Sequence, residues 1–392
     1  MIQFCDLKRQ YQTIKKEIDK AIKEVIESTS FILGKQVKEL EEEVAKYCGV
    51  KYAIGVASGT DAILLALIAS GIGEGDEVIT TPLTFVATTE SIIRAGAKPV
   101  FVDIDERTYN ISPDKIEEYL EKCKGKGVKC KVKAIVPVHL YGHPCDMRRI
   151  MDIARRYNLK VIEDCAQAFG SKLRMANGKW QMAGSIGDYG CFSFFPAKNL
   201  GCYGDGGMIV TNNKKIAEKI RILRVHGCKK KNYQILHGFN SRLDTIQAAI
   251  LKVKLKYIDK WIEKRIENAK IYTKLLSKID EIIPPYVAPD VRHSFNYYTI
   301  RIKNGKKMRD RLMEYLKENG ISCGIYYPVP QHLQKTNKHL GYKKGDFPVS
   351  EKILKEILTL PMFPELKRKE IEYIVKKVKD FFNKNHLDKN QR

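Results

Sequence analysis

The chain has 392 residues, 44% hydrophobic and 30% charged, the balance of a soluble globular protein large enough for two domains. No apolar run approaches the roughly 18 residues of a membrane helix, which excludes a helical membrane protein. The net charge of +24 admits a nucleic-acid binder. However, the densest basic stretch, KCKGKGVKCKVK at 122–133, has no interleaved aromatics and reads as a solvated loop entering a strand.

The opening MIQFCDLKRQYQ is charged by Asp6 and has no uninterrupted apolar core. No secretory signal is expected, and the expected location is cytoplasmic. Short β-branched runs then alternate with helical segments. YAIGVA (52–57) predicts a strand and DAILLALIAS (61–70) a helix; EVITT (77–81) and KPVFVDI (98–104) predict strands. DKIEEYLEKC (114–123) predicts a helix, VKAIVPVHL (132–140) a strand and DMRRIMDIARRYN (146–158) a helix. KVIEDCA (160–166), YGCFSF (189–194) and GGMIVT (206–211) predict three more strands. Apolar strands alternating with helices imply an α/β fold with a mostly parallel central sheet. A charged helical run over 250–277 leads to NYYTIRI (296–302), a strand, and RDRLMEYLKENG (309–320), a helix closed by Gly320. The expected division is a large domain over 1–250, with an N-terminal helical segment, and a smaller α+β domain over 251–392.

Ligands in open α/β sheets sit at the carboxyl ends of strands. Three strand ends carry chemistry here. After YAIGVA, Ser58, Gly59, Thr60 and Asp61 open a helix, serving either as its cap or as a phosphate site. Asp164 closes the strand KVIED, with Gln167 three residues on. In CFSFFPAKNLGCYGDGG, Lys198 follows aromatic residues and precedes Gly201, Gly204, Gly206 and Gly207. The glycines permit close backbone approach, and flanking aromatics would desolvate the amine and lower its pKa. A phosphate cradle, a carboxylate and a desolvated lysine together point to pyridoxal phosphate. GIGEGD (71–76) follows a helix and precedes a strand, the wrong order for a dinucleotide loop, and reads as a turn. The ten cysteines form no CxxC pair, and no metal site is expected.

SGTDA, EDCAQAFGS, SFFPAKNLGCYGDGG and GFNSRLDTIQAAIL, in that order, resemble the DegT/DnrJ/EryC1/StrS sugar aminotransferases, fold type I pyridoxal-phosphate enzymes with a smaller α+β C-terminal domain. The resemblance runs from MIQFCDL to LTLPMFPEL. It implies that Thr60 with Gly59, beside Asp61, holds the cofactor phosphate, and that Ser193 adds a hydroxyl. Phe85 would stack on the pyridine ring, Asp164 would pair with the ring nitrogen, and Gln167 would bond the ring hydroxyl. Lys198 would carry the cofactor as a Schiff base and move the proton. Asn240 would reach the phosphate in the neighbouring subunit, making a homodimer with shared sites. Arg242 is a candidate for a substrate carboxylate or a dimer salt bridge. Some relatives carry histidine at the lysine position and act as dehydratases, so Lys198 implies transamination.

The resemblance implies amino transfer from L-glutamate to a keto-sugar nucleotide. The NSRLD form is similar to the branch that aminates C3; C4-aminating relatives more often read NYRM. The opening MIQFCDLK and KNLGCYGDGG are similar to an enzyme for a UDP-linked 3-keto uronate. YYPVPQHLQ is closer to enzymes for dTDP-linked 3-keto-6-deoxyhexoses, and it offers Tyr327 and His332 as substrate contacts. The nucleotide stays open. The alternatives are a C4 aminotransferase, a nucleotide-dependent oxidoreductase lacking its glycine-rich turn, and a basic nucleic-acid-binding protein.

Overall fold

The fold is seen in a computed structural model that describes residues 1–125, 130–303 and 305–390. Residues 126–129 of the basic stretch lie outside them. Two helices come first, α1 (Leu7–Ser28), capped by the Asp6 carboxylate, and α2 (Lys35–Cys48). The alternating part follows: β1 (Tyr52–Val56), α3 (Gly59–Ala69), β2 (Glu77–Thr80), α4 (Val86–Arg94), β3 (Lys98–Phe101), α5 (Pro113–Gly125), β4 (Val132–Ile135), α6 (Met147–Tyr157) and β5 (Lys160–Asp164). A small hairpin, β6 (Lys172–Arg174) and β7 (Trp180–Met182), precedes β8 (Tyr189–Ser193) and β9 (Gly207–Thr211). Next come α7 (Lys214–Leu223), the hairpin β10 (Cys228–Lys230) and β11 (Tyr233–Gln234), α8 (Thr245–Leu255) and α9 (Ile258–Leu276). The C-terminal part holds β12 (Ile282–Ile283), β13 (Val291–Arg292), β14 (Tyr298–Ile302), α10 (Gly305–Glu318), α11 (Pro348–Glu356), β15 (Ile357–Leu360) and α12 (Arg368–Asn390).

Seven strands form the central sheet in the order β1-β9-β8-β5-β4-β2-β3. β9 runs antiparallel to both neighbours, and every other pair is parallel. The ends of β1, β5 and β8 therefore share one edge with the start of β9. The register makes this concrete: Gly207 lies opposite both Val56 and Ser193, and Asp164 opposite Cys191.

Sequence pattern explains the layers. Helix α3 is apolar nearly all round, and eight of its eleven residues are buried between the sheet and its neighbours. Helix α6 has one apolar stripe, Met147, Ile150, Ile153 and Ala154, and exposes arginines on the other side. The strand expected over 132–140 stops at Ile135, because Pro137 has no N–H for the ladder. The chain rejoins the sheet at one bridge, Val138 to Asp164. The helical run over 250–277 is two helices parted at Lys256 and Tyr257, and residue 250 lies inside α8.

A second apolar core gathers α9, α10, α12, β14 and β15 around Tyr272, Tyr298 and Leu316. The first residues pack with it: Ile2 N donates to Gly320 O at 2.7 Å, and Phe4 lies beside Tyr297 and Tyr326. Gly320 closes α10 at a φ of 72°, the left-handed geometry that glycine adopts freely. Among the described residues, no helix is long and apolar enough to cross a membrane.

Candidate active site

A cavity of about 350 Å³ opens at the shared strand edge. Gly59, Thr60, Phe85, Asp164, Gln167, Ser193, Lys198 and Tyr327 all line it.

The α3 end is built by close packing. A side chain on Gly59 would place its Cβ 2.6 Å from Ser193 Cβ, and one on Gly207 would meet Ser58 O at 2.3 Å. Only glycine lets the three chain segments meet. Ser58 caps α3 by accepting from Asp61 N at 3.0 Å. The first-turn N–H groups of Gly59 and Thr60 have no intrahelical acceptor, and the hydroxyls of Thr60 and Ser193 lie in the same wall. The cap leaves these N–H groups facing the cavity, where such groups could receive an anion. The Asp61 side chain turns away, accepting from Ser241 Oγ at 2.7 Å.

Asp164 sits at the end of β5, 5% exposed. Its Oδ1 accepts from Ala166 N at 3.1 Å and its Oδ2 from Thr88 Oγ1 at 2.7 Å. Burial raises its pKa, opposed by the Thr88 and Ala166 hydrogen bonds and by the charge of Lys198. Lys198 is partly buried in the opposite wall, and burial pulls its amine down to about 8, opposed by Asp164. Lys254 is also lowered to about 8, but it packs behind the loop, donating to Gly201 O at 2.6 Å beneath the Tyr203 ring, away from the cavity.

The aromatics before Lys198 divide differently from expectation. Phe192 and Phe194 are fully buried in the core against Phe169. Only Phe195, 53% exposed, lines the cavity, so the lysine is desolvated by its whole pocket rather than by an aromatic cage. Phe85 lies across the cavity, 52% exposed, its ring 5.4 Å from that of Tyr327. Gln167 Nε2 donates to Tyr327 OH at 3.0 Å, and its Oε1 accepts from Tyr141 N at 2.6 Å.

Three candidates stand elsewhere in the chain's own fold. Asn240 is exposed and Arg242 partly buried, both outside the cavity lining. His332 is buried with its Nε2 3.1 Å from Glu351 Oε1, also outside the lining. Thr84, Asp205, Tyr297 and Tyr326 line the cavity without having been singled out from sequence. The threonines of TFVATT, four apart at a helix start, were the available signal for Thr84 and Thr88.

The sequence model of the DegT/DnrJ/EryC1/StrS aminotransferase family matches residues 12–379. The chain is 49% identical to a "pleiotropic regulatory protein" of Geobacillus stearothermophilus, covering 97% of this chain and 98% of that one. It is 44% identical to the dTDP-3-amino-3,6-dideoxy-α-D-galactopyranose transaminase of Aneurinibacillus thermoaerophilus (96% and 99% covered). It is 42% identical to the UDP-N-acetyl-3-dehydro-α-D-glucosamine 3-aminotransferase of Acidithiobacillus ferrooxidans (95% and 96% covered). The crystal structure of S. venezuelae DesV with a ketimine intermediate superposes with a TM-score of 0.90 at 36% identity, covering 97% of this chain and 98% of DesV. The chain belongs to the DegT/DnrJ/EryC1/StrS aminotransferase family, and its fold is that of these enzymes.

Proposed function

We propose that this aminotransferase moves an amino group from L-glutamate to C3 of a UDP- or dTDP-linked 3-keto hexose. The observation that carries the reading is the pairing of Asp164 and Lys198 across one cavity, beside the open N-terminus of α3. These groups fit pyridoxal 5'-phosphate on their own chemistry. The free N–H groups of Gly59 and Thr60, with the hydroxyls of Thr60 and Ser193, suit a phosphate. The Asp164 carboxylate keeps an acceptor direction free for a ring N–H, and Gln167 stands ready for the ring hydroxyl. Phe85 offers an aromatic face at the cavity wall.

When bound, the cofactor supplies an aldehyde for the travelling amino group and a ring that draws electrons from the donor's α-carbon. The chain's residues do the rest. Asp164 holds its negative charge against the ring nitrogen. Lys198, with an amine near 8, takes a proton at one carbon and returns it at another at neutral pH. Burial in the pocket disfavours the amine's charge. Tyr327 closes the cavity beside Gln167, where a sugar hydroxyl would meet its phenol.

C3 is preferred because the 240–244 segment reads NSRLD and because the two named sugar relatives are a 3-amino-sugar transaminase and a 3-aminotransferase. The reading includes a cytoplasmic homodimer with shared sites, in which Asn240 and Arg242 face the partner's cavity and His332 stands behind the substrate-contact segment. Exposed Phe31, Ile32, Tyr233 and Ile235 support such an interface. It also takes the chain as two working units, supported by the separate apolar core beyond residue 269. The test supplies glutamate and a panel of UDP- and dTDP-linked 3-keto and 4-keto sugars, and measures 2-oxoglutarate. Release with the 3-keto members is expected. Release only with 4-keto members would establish the C4 alternative, and none with any sugar would overturn the reading.

A further inference from the structure

Asp164 is the end of a hydroxyl chain that the cavity lining does not reveal. Thr88 Oγ1 donates to Asp164 Oδ2 at 2.7 Å, and Thr84 Oγ1 lies 2.7 Å from Thr88 Oγ1. A threonine has one proton to give, and a carboxylate only accepts. With Thr88 donating to Asp164, Thr84 must donate to Thr88. The order of protons along Thr84, Thr88 and Asp164 is therefore fixed by the charge at its end. Each hydroxyl polarises the next, which strengthens the terminal bond to the carboxylate. Both threonines are buried, at 1% and 0% exposure, and Thr88 stands behind the cavity lining. The chain is anchored from a distant segment: Gln331 Nε2 donates to Thr84 O at 3.0 Å, and Gln331 N to Pro82 O at 2.8 Å.

The surroundings show why such a chain is needed. Burial opposes ionisation of Asp164, and the protein supplies few charges to offset it. The titratable groups that act on it include Lys198 from the loop after β8, His139 after β4, Tyr327 from the C-terminal segment, and the thiols of Cys145, Cys165 and Cys191, while Asp205, Tyr297 and Tyr326 line the same cavity. Lys198 is the one amine among them, and its own charge is disfavoured by burial. Two neutral hydroxyls stabilise the carboxylate without adding a cation that would compete with a protonated ring nitrogen for it.

We propose that Thr88, backed by Thr84, is a positioning residue that keeps Asp164 ionised and leaves a carboxylate lone pair free for the cofactor's ring nitrogen. The consequence for the cofactor rests on the function proposed above; the hydroxyl chain itself does not.

The experiment uses the full chain and two readouts. In cofactor-free protein, the Asp164 carboxyl is titrated by difference infrared spectroscopy, with Asp164→Asn as the blank. Thr88→Val keeps the shape and removes the hydroxyl. Its carboxyl midpoint is expected to rise by about one pH unit, the size of one charge-assisted hydrogen bond. Thr88→Ser is expected to return it to the wild-type value. Thr84→Val should give a smaller rise in the same direction. If circular dichroism shows that Thr88→Val does not fold, Thr84→Val decides the matter alone. A midpoint unmoved in the folded valine variants, or not restored by Thr88→Ser, overturns the proposal. In protein loaded with ¹⁵N-labelled pyridoxal 5'-phosphate, the ring-nitrogen shift of Thr88→Val should move toward the unprotonated form, with kcat about tenfold lower and the KM for glutamate little changed. A ring nitrogen equally protonated in wild type and Thr88→Val also overturns it. Failure of the cofactor to bind would count against the proposed function while leaving the infrared result standing.

Discussion

Glu163 and Asp164 are neighbours on β5, and they face opposite sides of the sheet. Glu163 is fully buried and receives four hydrogen bonds: from Gly184 N, Ile186 N, Gly187 N and His139 Nε2, at 2.9, 2.9, 2.6 and 2.9 Å. Asp164 receives two and keeps a side open to the cavity. A carboxylate has room for about four such bonds. Glu163 is therefore saturated by the protein and serves the fold. The shortfall at Asp164 is what a ligand can fill. The same logic sets aside the cluster of His139, Glu163 and Cys165, whose geometry could suit a metal. Glu163's oxygens there are already taken, and His139 Nδ1 accepts from Cys145 N at 2.9 Å.

The contrast can be broken in order of effect. Lys198→Ala should lower glutamate-dependent 2-oxoglutarate release by about 10⁴-fold, the upper range for a positioned acid–base group, with the fold intact by circular dichroism. Asp164→Asn should lower kcat by about 10²-fold with little change in the urea midpoint. Glu163→Gln should do the reverse. It removes a buried charge from its donors, costing about 3 kcal/mol in urea unfolding, while kcat per folded molecule stays near wild type. If the two substitutions behaved alike, the division between them would fail.

The remaining expected effect is a pH dependence. The Lys198 amine lies near 8 in the folded protein against 10.5 for an ordinary lysine. Between these values the unfolded chain binds more protons, so stability should rise with pH across that window. Subtracting the unfolding curve of cofactor-free Lys198→Met isolates this slope from that of Lys254. A flat difference between pH 8 and 10.5 would place the amine elsewhere than the structure does.

Much of the strand order along the chain was legible, because apolar runs and their punctuation are local. So was the gathering of Gly59, Thr60, Asp164, Ser193 and Lys198, since residues at carboxyl ends of parallel strands must share an edge. The antiparallel course of β9 was not legible. It depends on which neighbours β9 chooses, and GGMIVT carries no mark of direction. The roles of Phe192 and Phe194 were misread, because side chains alternate along a strand and the run continues past its end. Thr88 escaped notice because its partner Asp164 lies 76 residues away, and the one local signal, its four-residue spacing from Thr84, does not point to a carboxylate. His332 was placed toward substrate on the strength of its segment, yet the side chain reaches Glu351.

Helix α9 has a mechanical consequence. Its first turns, with Ile258, Trp261 and Ile262, belong to the core beneath the sheet, and its later ones, with Ala269, Tyr272 and Leu276, to the second core. Ile266 touches both. Nineteen residues make a rod of about 28 Å, embedded at each end like a beam in two walls. Between the two apolar cores the connection here is continuous helix and not a loop. A motion of one core against the other along this connection would have to bend the helix.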